Sequence, residues 1–180
     1  STPKRYADVF ESLGYPVELS NPKYPEKQKL SPNALALTGN RLLKWIGIAP
    51  FAQHKGKVYP IDLMEEVIAK ISSGGKCQIF LFGGGKVEKE ILEELARKYD
   101  LVNNVAGKLR FEEELAHISN LDVMLSMDSA HAHLSAIYGI TVVTLCGVKQ
   151  SYGGFAASHL PAENPLLNVR HQYPKIPPTI

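Results

Sequence analysis

The sequence has 180 residues, room for one sizeable core with an appendage and too little for two complete domains. Hydrophobic residues make up 44% and charged residues 21%, which excludes disordered and fibrous classes, and 20 Lys and Arg against 18 Asp and Glu leave a formal charge of +2 that points to neither nucleic acid nor an anionic membrane as main partner. Cys77 and Cys146 form no CxxC pair, no apolar stretch reaches the roughly 18 to 20 residues of a membrane span, and STPKRYADVF is not a signal peptide, so two buried thiols in a reducing compartment are expected.

Ten of the 12 prolines lie before residue 41 or after residue 160, whereas 12 of the 14 glycines lie between, mostly where apolar runs stop. The ends therefore read as irregular and the middle as an alternating fold. Within the first segment, YADVFESLGYPVE (6–18) places Tyr6, Val9, Phe10 and Leu13 on one helical face. KWIGIAP (44–50) is an apolar strand ended by Pro50, and IDLMEEVIAKI (61–71) spaces Leu63, Val67 and Ile71 at helical intervals after a starting proline. CQIFLFGGG (77–85) repeats the event, leading into KVEKEILEELARKY (86–99) with Ile91, Leu92 and Leu95 inward and Glu88, Lys89, Glu90 and Lys98 toward solvent. LVNNVAG (101–107) reads as a strand, and FEEELAHI (111–118) as a helix with Phe111, Leu115 and Ile118 on its inner face. LDVMLSM (121–127) and ITVVTLCG (140–147) are strands around the helix DSAHAHLSAIYG (128–139), capped by Asp128 or Ser129 and ended by Gly139. Short connections between alternating strands and helices predict an α/β fold, a doubly wound, Rossmann-like parallel sheet with helices on both faces.

Ligands of such sheets bind beyond the carboxyl ends of the strands, which directs attention to four loops. APFAQHKGKVYP (49–60) offers His54, Lys55 and Lys57, either a phosphate-holding pair of lysines or a solvated basic loop. FGGGK (82–86) lacks the spacing of a Walker loop or of GxGxxG and fits either an anion cradle or a tight turn. Glu88 suits a ribose diol, and equally suits the positive end of its own helix. SMDSAHAHLSA (126–136) carries Asp128, Ser129, His131 and His133, but helical positions advance about 100° per residue, so the two histidines face opposite ways and no metal site is expected. Ser129 and the helix-start amides instead suit a diphosphate, with simple capping as the other reading. LCGVKQSYGGFAA (145–157), with Lys149, Gly153 and Gly154, fits a mobile loop closing over a ligand or a plain surface loop.

In this order the segments resemble the C-terminal, donor-binding half of the heptosyltransferase family, bacterial glycosyltransferases of lipopolysaccharide core assembly, over about residues 43 to 160. GIAPFAQHKGKVYP is similar to the family's strand, small-residue loop and K-x-W-P, with Lys57 in the lysine position and Tyr59 replacing tryptophan. Gly84, Gly85 and Glu88 resemble G-G-x-x-E, and Gly107, Lys108 and Leu109 resemble G-K-[LMT]-[ST], with Arg110 in place of the small hydroxyl residue. Asp128, Ser129, Ala130, His131, Ala132, His133 and Leu134 resemble D-[ST]-G-x-x-H-L with alanine for glycine, and Cys146 and Gly147 are what remains of W-G-x-T-x-P.

The resemblance implies one half of a two-domain architecture of the GT-B type, with residues 1–42 as an interdomain linker and helix region and 43–180 as the nucleotide-sugar-binding domain with an irregular tail. It implies a sugar, heptose from ADP-heptose, passed to a lipopolysaccharide-type glycolipid acceptor held by the other domain, which also supplies the general base. Lys57, Ser129 and Ala130 would lie at the diphosphate, Glu88 at the ribose, Leu109 at the adenine, and Asp128 and His133 at the diphosphate-sugar region. The substrate would be an ADP-sugar, with no metal and no further cofactor, no nucleic-acid partner, and a cytoplasmic location with peripheral contact at the inner membrane. A non-catalytic nucleotide-binding or interaction domain of the same fold is the competing reading.

Overall fold

The computed structural model describes residues 2–19, 23–39, 41–53, 58–146 and 166–168. Along the chain run α1 (Thr2–Ser12), α2 (Pro32–Thr38), β1 (Lys44–Ala49), α3 (Ile61–Ser73), β2 (Cys77–Leu81) and α4 (Lys86–Arg97), then β3 (Val102–Asn104), α5 (Phe111–Ser119), β4 (Val123–Met127), α6 (Ala130–Ile137), β5 (Thr141–Cys146) and β6 (Leu166–Asn168). The strands form one sheet in the order β3-β2-β1-β4-β5-β6, and every neighbouring pair is parallel. The fold is therefore the expected doubly wound α/β sheet, and its strand order reverses direction between β1 and β4.

Two apolar layers sandwich the sheet. On one face Met64 and Ile68 of α3 and Leu92 and Leu95 of α4 pack on Ile48, Ile79 and Leu81. On the other, Ile118 of α5 and Ala132 and Ala136 of α6 pack on Trp45, Phe80 and Met124. Burying one such aliphatic side chain fully is worth about 1.5–3 kcal/mol, so these inward positions hold the helices against the sheet. Gly47 sits in central β1 because a Cβ there would come within 2.6 Å of Leu121 Cδ1 and 2.8 Å of Met124 Cε.

Several local expectations shift. On α3 the fully buried positions are Met64 and Ile68, with Leu63, Val67 and Ile71 flanking them. Phe111 is 61% exposed rather than inward, because α5 starts by turning Glu113 in as its cap and its inner face runs instead through Ala116, His117 and Ile118. Glu88 and Lys89 are half-buried, not solvated. Cys77 is a free, half-buried thiol rather than a buried one, while the surroundings of Cys146 lie outside the described residues. β4 starts at Val123 and α6 at Ala130, each two residues later than the apolar pattern indicates.

The segment ahead of β1 is not uniform. Gln28 donates its N–H to Ser119 Oγ at 2.9 Å and its amide to Tyr138 at 2.8 Å, and Asn120 donates to the Gln28 carbonyl at 2.8 Å. Ser31 caps α2 and donates to Glu113 at 2.7 Å, so residues 28–38 are strapped to α5. The face of α1 behaves differently. Tyr6 (66%), Val9 (56%), Phe10 (49%) and Leu13 (66%) remain exposed.

Candidate functional site

The reversal of strand order opens a crevice between the carboxyl ends of β1 and β4, and neighbouring loops continue along the same edge. Parallel pairing sets Ala49 beside Ser126, Ile48 beside Leu81, Leu81 beside Asn104, and Met127 beside Leu145. The Phe82 N–H donates to the Ile48 carbonyl at 2.9 Å and the Val105 N–H to the Leu81 carbonyl at 3.0 Å, carrying the alignment past the strand ends. Glu88, Leu109, Asp128, Ser129, Ala130 and His133 all follow these ends, so the fold brings them to one edge. Lys57 lies outside the described residues, as do His54, Lys55, Lys149, Gly153 and Gly154. Tyr59, in the place of the expected tryptophan, is buried and donates its N–H to Met127 Sδ at 3.3 Å, which returns the first loop to the end of β4.

At the switch point Ser129 is the N-cap residue of α6, with extended backbone (φ −138°, ψ 170°), but its side chain makes no capping bond. Its hydroxyl lies instead 2.8 Å from Ser126 Oγ. Asp128 stands 3.9 Å from His133 Nε2, and Ala130 and His133 are exposed beside it. His131 faces away, with Nε2 3.2 Å from Glu114 Oε1 and its ring 5.5 Å from Phe82. The two histidines diverge as helical geometry requires, and among the described residues no group of three His, Cys, Asp or Glu is arranged to hold a metal ion.

The glycine loop after β2 is occupied from within. Gly84 and Gly85 donate their N–H groups to the same oxygen of Glu88, at 2.8 and 3.2 Å. Those amides, the natural donors of an anion cradle, are met here by the protein's own carboxylate, and Glu88 is thereby fixed at the edge. A Cβ at Gly83 would stand 2.9 Å from Leu92 Cδ1, so packing also accounts for glycine at that position. After β3, Gly107 takes a positive φ of 70°, the left-handed turn that favours glycine. Lys108 is turned back to Glu93 at 2.8 Å, Asn104 donates to the same carboxylate at 2.8 Å, and Leu109 is half-buried against the Trp45 layer. The hydrogen bonds from Lys108 and then Asn104 hold the Glu93 carboxyl below its usual range.

Residues 4–157 match the family model for glycosyltransferase family 9 (heptosyltransferase). The chain belongs to this family. Lipooligosaccharide heptosyltransferase 2 of Campylobacter jejuni is 26% identical over 144 residues, covering 77% of this chain and 44% of the relative. Among solved structures, the family 9 glycosyl transferase of Veillonella parvula superposes with a TM-score of 0.70 at 15% identity, over 87% of this chain and 46% of that one. The heptosyltransferase WaaC of E. coli with ADP-2-deoxy-2-fluoro heptose gives 0.58 at 22% identity, over 82% and 45%. These likenesses establish the fold. The chain spans less than half the length of each of these relatives. Among the described residues no helix is long and apolar enough to cross a membrane.

Two buried polar residues, one at the edge and one in the core, escape sequence reasoning. Ser126 is a buried hydroxyl near the carboxyl end of the apolar strand β4, hidden because one serine among LDVMLSM breaks no pattern. His117 is fully buried between Trp45, Phe80 and Phe82, its ring centroid 5.3, 4.5 and 5.5 Å from theirs. Nothing in FEEELAHI distinguishes it from a surface histidine.

Proposed function

We propose that this chain is the donor-binding half of a glycosyltransferase: it holds an ADP-sugar, with ADP-heptose the preferred donor, and passes the sugar to a lipopolysaccharide-type glycolipid bound by an acceptor half. Residues 43–180 would form the donor domain and 1–42 the linker and helix region between halves. Family membership supports the transferase chemistry. The observation that carries the donor assignment is the order of the edge. Leu109 follows β3, Glu88 follows β2, the Lys57 loop follows β1 and Asp128–Ser129 follows β4, and these strands are neighbours in that sequence. The order matches adenine, ribose, diphosphate and sugar along an extended ADP-sugar. At about 4.8 Å per strand, β3 to β4 spans about 14 Å, a length suited to such a molecule.

Each residue then has a task. Leu109 would supply an apolar surface to the adenine. Glu88, held by two glycine amides, would direct its carboxylate to the ribose hydroxyls. Lys57, Ser129 and the amides at Ala130 would meet the diphosphate, and Asp128 with His133 the diphosphate-sugar junction. Cleaving the sugar–phosphate bond builds negative charge on ADP, and donors fixed before the reaction stabilise that charge more in the transition state than in the ground state. A water-soluble donor and a glycolipid acceptor fit a cytoplasmic protein acting at the inner membrane surface.

An NMR titration tests the reading. ADP should shift the amides of Glu88, Leu109 and residues 128–133 while leaving α3 unchanged. Absence of shifts at those positions with millimolar ADP removes the donor-site assignment. ADP release that depends on a glycolipid acceptor, measured with both halves present, tests the transfer itself.

A further inference from the structure

Ser126 has no part in the roles above, yet its side chain is fully buried at the carboxyl end of β4 beside the switch point. Its Oγ lies 2.8 Å from the Met127 carbonyl oxygen and 2.8 Å from Ser129 Oγ. A serine hydroxyl has one proton to donate. The carbonyl only accepts, so the Ser126 proton goes to Met127 and Ser129 donates its own proton to Ser126. Ser129 then turns lone pairs outward. A phosphate oxygen also accepts, so this setting has the wrong polarity for a diphosphate. Ser129 sits in the N-cap position of α6 but makes no capping bond; its Oγ is held against Ser126 instead of over the α6 amides.

We propose that Ser126 is a positioning residue, one half of a buried hydroxyl relay that sets the direction of Ser129 toward the diphosphate. On binding, Ser129 swings its proton to a phosphate oxygen, and Ser126 swings its own from the Met127 carbonyl to Ser129 Oγ. Only the two C–O bonds rotate; no proton changes atom and no backbone moves. Ser126 thus fixes the position of Ser129 Oγ in both settings while letting its donor direction reverse. This inference rests on the donor-site reading of the previous subsection.

A double-mutant cycle on ADP affinity, measured calorimetrically, tests it. Ser126→Ala should weaken ADP binding about fivefold, the worth of one hydrogen bond, with the folded NMR spectrum retained. Ser129→Ala should weaken it at least as much, and the double variant should bind no more weakly than Ser129→Ala alone, because Ser126 acts through Ser129. Wild-type affinity in Ser126→Ala, or losses that multiply in the double variant, overturns the relay. A second readout needs no ligand: the Ser129 hydroxyl proton should exchange slowly in the wild-type protein and rapidly in Ser126→Ala. Equal exchange in both also overturns the relay. If the wild-type protein binds no ADP while that proton keeps its Ser126-dependent protection, the donor-site reading fails and the hydroxyl pairing stands, so the two failures are distinguishable.

Discussion

At the scale of single residues, His117 shows how burial sets a protonation state. Both ring nitrogens are buried without a hydrogen-bond partner, and burial alone holds the pKa down at about 4. An unfolded histidine titrates near 6.5, so between about pH 6.5 and 4 the unfolded chain takes up a proton that the folded imidazole refuses. Stability is therefore full above pH 6.5, falls as the pH drops, and levels off near pH 4. The loss should reach roughly 2 kcal/mol at pH 5 and about 3 kcal/mol at pH 4. Denaturant unfolding at pH 7.5 and pH 5 checks this, and His117→Leu should flatten the dependence in that window; a wild-type protein equally stable at both values would place His117 in contact with solvent. Of the histidines conspicuous in the sequence, His133 is exposed and His131 is half-buried against Glu114 and Phe82. Which of three histidines is buried depends on helix rotation, which the residue types do not encode.

At the scale of elements, α5 explains why part of its environment was illegible. Periodicity among Phe111, Leu115 and Ile118 is a real helical signal, but it does not specify which way the first turn faces. Glu113 decides that. It accepts the Arg110 N–H at 3.0 Å, the Ser31 hydroxyl at 2.7 Å and the Asn33 amide at 3.5 Å, so one carboxylate caps α5 and anchors α2. The Arg110 N–H, followed by the Ser31 hydroxyl, brings its pKa down to about 2. Because that value lies below the unfolded one, the stabilisation is present above about pH 4.5 and is lost as pH falls toward 2, a window below that of His117. Glu113→Gln should loosen α2 selectively, speeding amide exchange at Ala34 and Leu35 while the exchange of β1 and β4 stays slow. Unchanged exchange in α2 would show that its apolar contacts suffice. Ser31 and Glu113 are 82 positions apart, and no local pattern announces such a pairing.

At the scale of the whole molecule, the alternation of apolar runs and glycine stops was enough to specify a doubly wound sheet, because parallel strands covered on both faces must be apolar throughout. The positions of the site loops follow from that topology, since helices are preceded by strand carboxyl ends wherever the sheet is wound. Among the site loops, residues 54–57 of the lysine loop and residues 147–165 after β5 lie outside what the structure describes. The N-terminal segment divides according to what it touches. Residues 28–38 are bound to α5, so their removal would expose Glu113 and Ser119. Residues 2–19 differ: the apolar face of α1 is turned to solvent, and its ordered pairings include Lys4 with Asp8 at 3.1 Å, within the helix itself. A helix whose apolar face buries nothing on the domain adds little to its stability, because helices in proteins draw most of their stability from packing that face. Deleting residues 1–19 should therefore leave the thermal midpoint within about 1 °C of the full chain, where a loss of 1 kcal/mol would move it by roughly 2–4 °C. The same deletion should reduce binding of a hydrophobic dye, since Tyr6, Val9, Phe10 and Leu13 leave with it. A large fall in the midpoint would show that α1 packs against this domain in solution. An unchanged midpoint with reduced dye binding is the result expected if that face stays open on the folded domain.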